Sequence, residues 1–241
     1  MPLYKEQGVV LGSFKLAEAD KIITILTQGS GKVRAVAKGL RRTMSKFGAR
    51  LEPFTHVSLM LYRGRSLDTV TQAEIVHPFR SIREDYALVA AGGAMLEAVD
   101  KVAEEHERNV PLFLLLVKGL RALEARPADP PAVAEAFLLK LLELSGFAPS
   151  FTACAVCGST EVRRFSPSQG GGVCETHRER DAQRAEPEAL AWLASLSSGS
   201  FEEAGTSSPS PRVRGAGRAM LYGFAEWHLE RRMRSLPLLA R

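Results

Sequence analysis

Through the first third of the chain, apolar and polar positions alternate with a period near two. The runs QGVVLGSF, KIITILT, KVRAVAK, HVSLMLY and SLDTVTQAEIV are short and rich in Val, Ile, Thr or Tyr, as half-buried strands are. The breaks TQGSGK, LRRTMSKFGARLEP and RGRS supply Gly, Ser and Pro where turns need them. Five short strands before Pro78 predict a small barrel. The count suits a five-stranded oligonucleotide- or oligosaccharide-binding (OB) barrel, and an SH3-like barrel fits the pattern nearly as well. After His77-Pro78 the period becomes helical. SIREDYALVAAGGAMLEAVDKVAEEH spaces Ile82, Tyr86, Val89, Met95, Leu96 and Val99 for one helix, and PLFLLLVKGLRALEA and PAVAEAFLLKLLELSG follow as two more, opened by prolines. Two further helices are predicted near 186–197 and 214–235, with SSGSFEEAGTSSPSPR between them as a polar loop or linker. The predicted fold class is therefore α+β and multidomain. A five-stranded OB barrel over 1–79 leads into a helical domain at 80–149 and 181–241, interrupted by a cysteine-bearing module at 150–180.

Charge changes this picture at one place. Residues 1–80 hold 13 lysines and arginines against 6 acids, whereas the remainder holds 19 against 21, so the net +5 arises in the N-terminal third. Local positive charge of this kind favours phosphate polymers or anionic lipid. Its densest stretch is GKVRAVAKGLRRTMSKFGARLEPF, residues 31–54, with seven basic side chains before its first acid, Glu52. Alternation places Lys32, Arg34 and Lys38 on one side of a strand and Val33, Ala35 and Ala37 on the other. Arg41, Arg42, Lys46 and Arg50 then populate the following loop. Of the two phenylalanines among them, Phe54 is a core candidate and Phe47 is the aromatic left for stacking. A positive groove with an aromatic platform is what single-stranded nucleic acid requires of a barrel. Membrane binding is disfavoured, because the segment is strand and loop, not amphipathic helix. The most apolar run, VPLFLLLV at 110–117, is too short to span a bilayer, and MPLYKEQGVV lacks the features of a secretory signal, so a cytoplasmic location is expected.

All three cysteines fall in CAVCGSTEVRRFSPSQGGGVCETH. They give Cys154-x2-Cys157, sixteen intervening residues, and Cys174-x2-His177. Each x2 spacing lets one tight turn aim two ligands at the same metal, so the pattern predicts one tetrahedral zinc ion with no open position, hence structural. Gly158 and Gly170 to Gly172 sit where such knuckles need unusual backbone angles. A catalytic deaminase-type zinc would want a His-x-Glu element and a proline before the first cysteine; here Ala153 precedes Cys154. Phosphate-cradling loops and the serine-hydrolase elbow are absent, and the GSGK at 29–32 reads as a hairpin turn. His56, His77, His106 and His228 are scattered, and Glu104, Glu105 and Glu107 read as a solvated helix end. These residues assemble no reaction, so a binding protein, not an enzyme, is expected.

Taken in order, several of these residues resemble the RecO family of bacterial recombination mediators over nearly the whole length. The resemblance rests on Gly8-Val9-Val10, Thr24-Ile25-Leu26-Thr27, Gly31-Lys32, Ala37-Lys38-Gly39 with Arg41-Arg42, and Leu51-Glu52-Pro53-Phe54. It continues through Leu144-Ser145-Gly146-Phe147-Ala148-Pro149, Cys157-Gly158, Phe165, Gly171-Gly172 and Cys174. The final ligand departs from the family's commoner Cys-x-x-Cys, with His177 in that place. The resemblance implies an OB domain, a helical domain and a zinc module, and a non-enzymatic activity in the cytoplasm at the nucleoid. That activity is binding of single- and double-stranded DNA and annealing of complementary strands. The implied partners are RecR, single-stranded DNA-binding protein (SSB) and, functionally, RecA, which replaces SSB on DNA during repair. An RNA-binding OB and zinc protein of RNA metabolism is the alternative.

Overall fold

One long strand organises the N-terminal half of the chain. In the computed structural model, which describes residues 3–16, 18–40, 45 and 47–240, β1 (Leu3–Lys15) serves two partners. Its residues Leu3 to Val9 pair with β4 (His56–Tyr62), and Gly8 to Lys15 pair with β2 (Lys21–Thr27). A register shift between Val10 and Gly12 turns the strand from one partner to the other. β2 continues antiparallel into β3 (Gly31–Ala37), and β4 into β5 (Asp68–His77). A short parallel pairing, Ala35 with Asp68 and Val36 with Thr69, closes the barrel in the order β1-β2-β3-β5-β4. This is the OB-type arrangement the strand pattern predicts.

Alternation decides what lies inside. Val10, Ile23, Ile25, Val33, Ala35, Ala37, Val57, Leu59, Leu61 and Val70 form the barrel core, joined by Leu40, Phe47 and Leu51 from the long connection between β3 and β4. Where the closing pairing is shortest, the Tyr4 hydroxyl donates to buried Asp68, whose other carboxylate oxygen accepts from the Gly64 N–H at 2.9 Å. The GSGK turn links β2 to β3 as expected. Gly31 has φ +65°, and a Cβ there would stand 1.9 Å from the Glu107 carbonyl oxygen, so only glycine admits the 104–107 segment against this turn.

The barrel and three helices, α1 (Arg80–Arg83), α2 (Tyr86–Val102) and α3 (Val110–Glu124), form one compact unit, residues 1–124. The pattern predicts one helix where α1 and α2 stand. Asp85 divides them: it leaves the helical region, and its carboxylate accepts from the N–H groups of Ala87 and Leu88.

The second unit, 125–241, holds α4 (Pro130–Leu144), a small sheet of β6 (Arg164–Ser166), β7 (Gly171–Val173) and β8 (Gln183–Arg184), then α5 (Pro187–Ser198), α6 (Phe201–Gly205) and α7 (Pro211–Leu229). Sheet order is β7-β6-β8. Almost every residue of α4 from Ala132 to Leu142 is buried, Glu135 included. The Glu135 carboxylate accepts from Arg218 and from the Tyr222 hydroxyl, and Arg214 beside it pairs with Asp129. A buried carboxylate survives only with such partners.

Two expectations are corrected here. The stretch SSGSFEEAGTSSPSPR is not loop throughout but contains α6, started by a reciprocal cap between Ser200 and Glu203 and anchored by Phe201, whose ring stacks 6.4 Å from Phe137. Its polar composition conceals a single apolar anchor. The last helix spans 211–229, not 214–235: Ser210 caps it, and Glu230 adopts φ +50°, redirecting the chain so that Met233, Leu236 and Leu239 are buried.

Candidate metal centre and nucleic-acid interface

The metal centre is built by two turns that meet over the small sheet. At the first, the Gly158 N–H donates to the Cys154 carbonyl at 2.8 Å and closes the Cys154–Cys157 knuckle. The second is a single 3-10 turn, Glu175–His177, in which the His177 N–H donates to the Cys174 carbonyl at 3.2 Å. Gly158, Gly170 and Gly171 take φ values of +74°, +88° and +125°, the unusual backbone angles expected there, whereas Gly172, also expected to need one, lies in β7 without a positive φ. At Gly171 a Cβ would lie 2.5 Å from the Ser150 carbonyl oxygen, so the glycine also lets the segment before Cys154 lie against β7. Phe165 of β6 packs between Phe151 and Phe224, ring centroids 6.0 and 5.9 Å away, which ties the module to α7.

The four predicted ligands converge. Sγ of Cys157 and Cys174 are 4.0 Å apart, and Nδ1 of His177 lies 3.9 Å from Cys154 Sγ and 3.3 Å from Cys174 Sγ. All four donor atoms fall within 4.8 Å of one another. Thiolates bound at about 2.3 Å around a tetrahedral ion are separated by about 3.8 Å, so the cluster has the size of one coordination sphere. Burial opposes ionisation of Cys154, yet the N–H groups of Cys157, Cys174 and Val156 directed at its sulfur hold the thiol below its ordinary pKa. At Cys174 burial is likewise outweighed by the N–H groups of His177 and Thr176. Amides directed at sulfur thus favour two of the three thiolates a metal needs, whereas at Cys157 the Ser159 N–H is outweighed by the neighbouring sulfurs and burial, which raise the pKa of its thiol. The geometry also selects Nδ1 of His177, which the spacing alone leaves open.

The basic stretch divides into three groups. Lys38 is exposed, and Arg34 is exposed on the outward face of β3 with its Nη1 3.7 Å from Glu105 Oε1. Lys32, also outward, is largely covered: its ammonium donates to the Asp100 carbonyl at 2.6 Å and stands 3.6 Å from the Asp100 carboxylate. Its backbone is tied as well, with Lys32 N–H donating to the Glu104 carbonyl and His106 N–H donating to the Lys32 carbonyl. Arg50 is exposed in a short 3-10 turn, Gly48–Leu51. Arg41, Arg42 and Lys46 lie outside the described residues.

Two sequence expectations change. Phe47 is 1% exposed and belongs to the barrel core, so it offers no stacking face; Phe54, 6% exposed, is core as expected. The acidic run at 104–107 is not simply solvated, because Glu105 and the backbone around it engage β3. The signal available in the sequence was charge complementarity between that run and Lys32-Val-Arg34. The histidines gather no catalytic set: His77 pairs with Glu124 at 2.6 Å, His56 packs edge-on against Phe113, and His228 meets the Pro167 carbonyl at 2.9 Å. Among the described residues no helix is long and apolar enough to cross a membrane.

Comparison with known proteins places the whole chain in one family. The family Recombination protein O N terminal matches residues 1–79, and Recombination protein O C terminal matches residues 83–237. The DNA repair protein RecO of Nocardioides sp. is 45% identical over 245 residues, covering 99% of this chain and all of that protein. Those of Thermobifida fusca and Streptomyces coelicolor are each 43% identical, over 244 and 245 residues, covering 100% and 98% of both chains respectively.

Proposed function

We propose, since this chain belongs to the RecO family of recombination and DNA repair proteins, that it binds single- and double-stranded DNA on its barrel and anneals complementary strands. The observation that carries this reading is the exposure of Arg34 on the outward face of β3 and of Lys38 just past its end, leading into a connection that bears Arg41, Arg42, Lys46 and Arg50. These cations lower the repulsion between two phosphate backbones held on the same surface. Annealing then exchanges protein–phosphate contacts for base pairs, so no bond in the substrate is made or broken by the protein and no nucleotide is hydrolysed. Lys32, covered by Asp100, contributes to the field of this surface and fixes the β3 edge.

The Cys154, Cys157, Cys174 and His177 group suits one zinc ion, and with four protein ligands the ion is structural. Residues 1–79 are the nucleic-acid domain in this reading, and residues 150–180 are a zinc module within the helical part. RecR and SSB are the partners, with RecA loaded in place of SSB, in the cytoplasm at the nucleoid.

Charge reversal of Arg41 and Arg42 tests the reading. The doubly substituted protein binds oligonucleotides more weakly than the unaltered chain, and its log–log salt slope is shallower by about 1.5 on single strands. The unaltered chain anneals complementary oligonucleotides without nucleotide, with or without SSB. Unchanged low-salt binding by the variant overturns the assignment, and tighter binding of single-stranded RNA than of DNA moves the function to RNA.

A further inference from the structure

The register of the barrel brings six outward side chains into one row. Phe14 on β1 faces Ile22 on β2, Ile22 faces Val36 on β3, and Val36 faces Thr69 on β5. Thr69 in turn faces Tyr62 on β4, and Tyr62 faces Leu3 at the start of β1. Their neighbours Ile23, Ala35, Leu61 and Val70 are buried in the barrel core, so alternation turns the whole row outward. The row stays open to solvent. Phe14 is 63% exposed, Leu3 57% and Tyr62 42%, while Ile22, Val36 and Thr69 are half-buried between them. With strands about 4.8 Å apart, six positions give an apolar track about 24 Å long and one residue wide.

Cations line both sides of this track. Lys38 lies two residues beyond Val36 and Lys5 two residues beyond Leu3, both on the row's face and on one side of it, whereas Lys15 and Lys21, next to Phe14 and Ile22, alternate to the other face at the end of the barrel. None of these four lysines forms an ion pair with a described residue. On the other side stands Arg34, two residues before Val36; Arg63, next to Tyr62, turns instead over the Tyr4 ring, its guanidinium 4.9 Å from the ring centre. Of the acids nearby, Asp20 accepts from the Gly39 N–H, and Glu105 stands against Arg34 in an open pair.

We infer that the row from Phe14 to Leu3 is a base-stacking track for single-stranded nucleic acid, with Phe14 and Tyr62 as its rings. The inference rests on the proposed nucleic-acid reading and adds what that reading lacks, a surface for bases in place of buried Phe47. Three features select this occupant. The track carries two exposed rings, Phe14 and Tyr62, whose flat faces can receive bases. It is one residue wide between cationic flanks, matching a strand that presents phosphates on its edges and bases along its middle. Its rings lie where duplex bases, already stacked on each other, have no face to offer.

The test compares Phe14→Ala, Tyr62→Ala and the double variant against the unaltered chain. The probes are a fluorescein-labelled oligothymidylate, an abasic strand of equal length and a duplex, with circular dichroism and thermal unfolding as fold controls. Each exposed ring lost weakens oligothymidylate binding about five-fold or more. Affinity for the abasic strand and the duplex, and the salt slope, stay unchanged. Phe14→Trp and Tyr62→Phe retain full affinity. Equal losses on abasic and base-bearing strands overturn the stacking role, as does undiminished oligothymidylate binding. A variant that holds DNA but loses an acidic peptide bound by the unaltered chain assigns the track to a protein and also overturns it. Absence of any nucleic-acid binding by the unaltered chain overturns the underlying reading itself.

Discussion

Arg34 on β3 and Glu105 in the segment after α2 stand 3.7 Å apart, each side chain a little under half exposed. A pair this open is worth at most about 1 kcal/mol and is weakened by salt, so a phosphate can compete for the guanidinium. The basic face of the barrel therefore carries its own acidic occupant. Replacing Glu105 with Gln is expected to raise affinity for single strands by about two- to five-fold at low salt. The same change steepens the salt slope by up to about 0.7, one phosphate contact more. Anisotropy titrations over a salt series read both. A slope that does not change would mean Arg34 makes no phosphate contact.

His56 is buried, its Nε2 has no hydrogen-bond partner, and Phe113 lies edge-on 5.6 Å away. Burial, with Arg121 and His77 nearby, holds its pKa below the ordinary histidine value of 6.5. The unfolded chain therefore takes up a proton that the folded chain refuses. Below about pH 6.5, and down to the folded-state pKa, stability falls with pH by up to about 1.4 kcal/mol per unit, and it is recovered above that value. Denaturant titrations between pH 7.5 and 5 should show this slope, and His56→Gln should remove it. An equal slope in the variant would place the titration elsewhere.

Replacing Cys154 and Cys157 with serine should abolish metal binding and loosen residues 150–185 in hydrogen exchange. The cause is that three thiolates and one imidazole on a single ion supply much of what holds so small a sheet together. Native mass spectrometry of the unaltered chain is expected to find one zinc. His177→Cys, which restores the commoner ligand set, should retain it. A serine variant that stays fully protected in this region would show the metal to be dispensable for folding.

Phe47 offers a contrast to Phe14. Its truncation to alanine opens a cavity in the barrel core and should cost about 3–5 kcal/mol of stability. The folded fraction should bind abasic and base-bearing strands as before. A selective loss on base-bearing strands at unchanged stability would return Phe47 to the surface.

Much of this was legible in the chain itself. A period of two over QGVVLGSF, KIITILT and HVSLMLY fixes the face each residue presents, and the x2 spacings within 154–177 leave little freedom in where four ligands converge. What local pattern could not supply is what comes from far along the chain. Phe47 sits among seven cations, and composition makes it look like a surface aromatic; the barrel core claims it together with Leu40 and Leu51, among the described residues of that connection. The helix α6 was hidden because a cap and one buried ring suffice when α4 provides the surface beneath.

The number of strands, most of the barrel interior and the convergence of Cys154, Cys157, Cys174 and His177 thus follow from sequence, because they depend on alternation and on short spacings that any fold must respect. Two facts were decided by tertiary structure alone: that Asp100 and Glu105 occupy Lys32 and Arg34, and that Phe14, Ile22, Val36, Thr69, Tyr62 and Leu3 form one row. Both depend on pairing register between segments distant in sequence. A slip of one residue would turn the row inward and separate the charges, and no single segment records which register the closed barrel adopts.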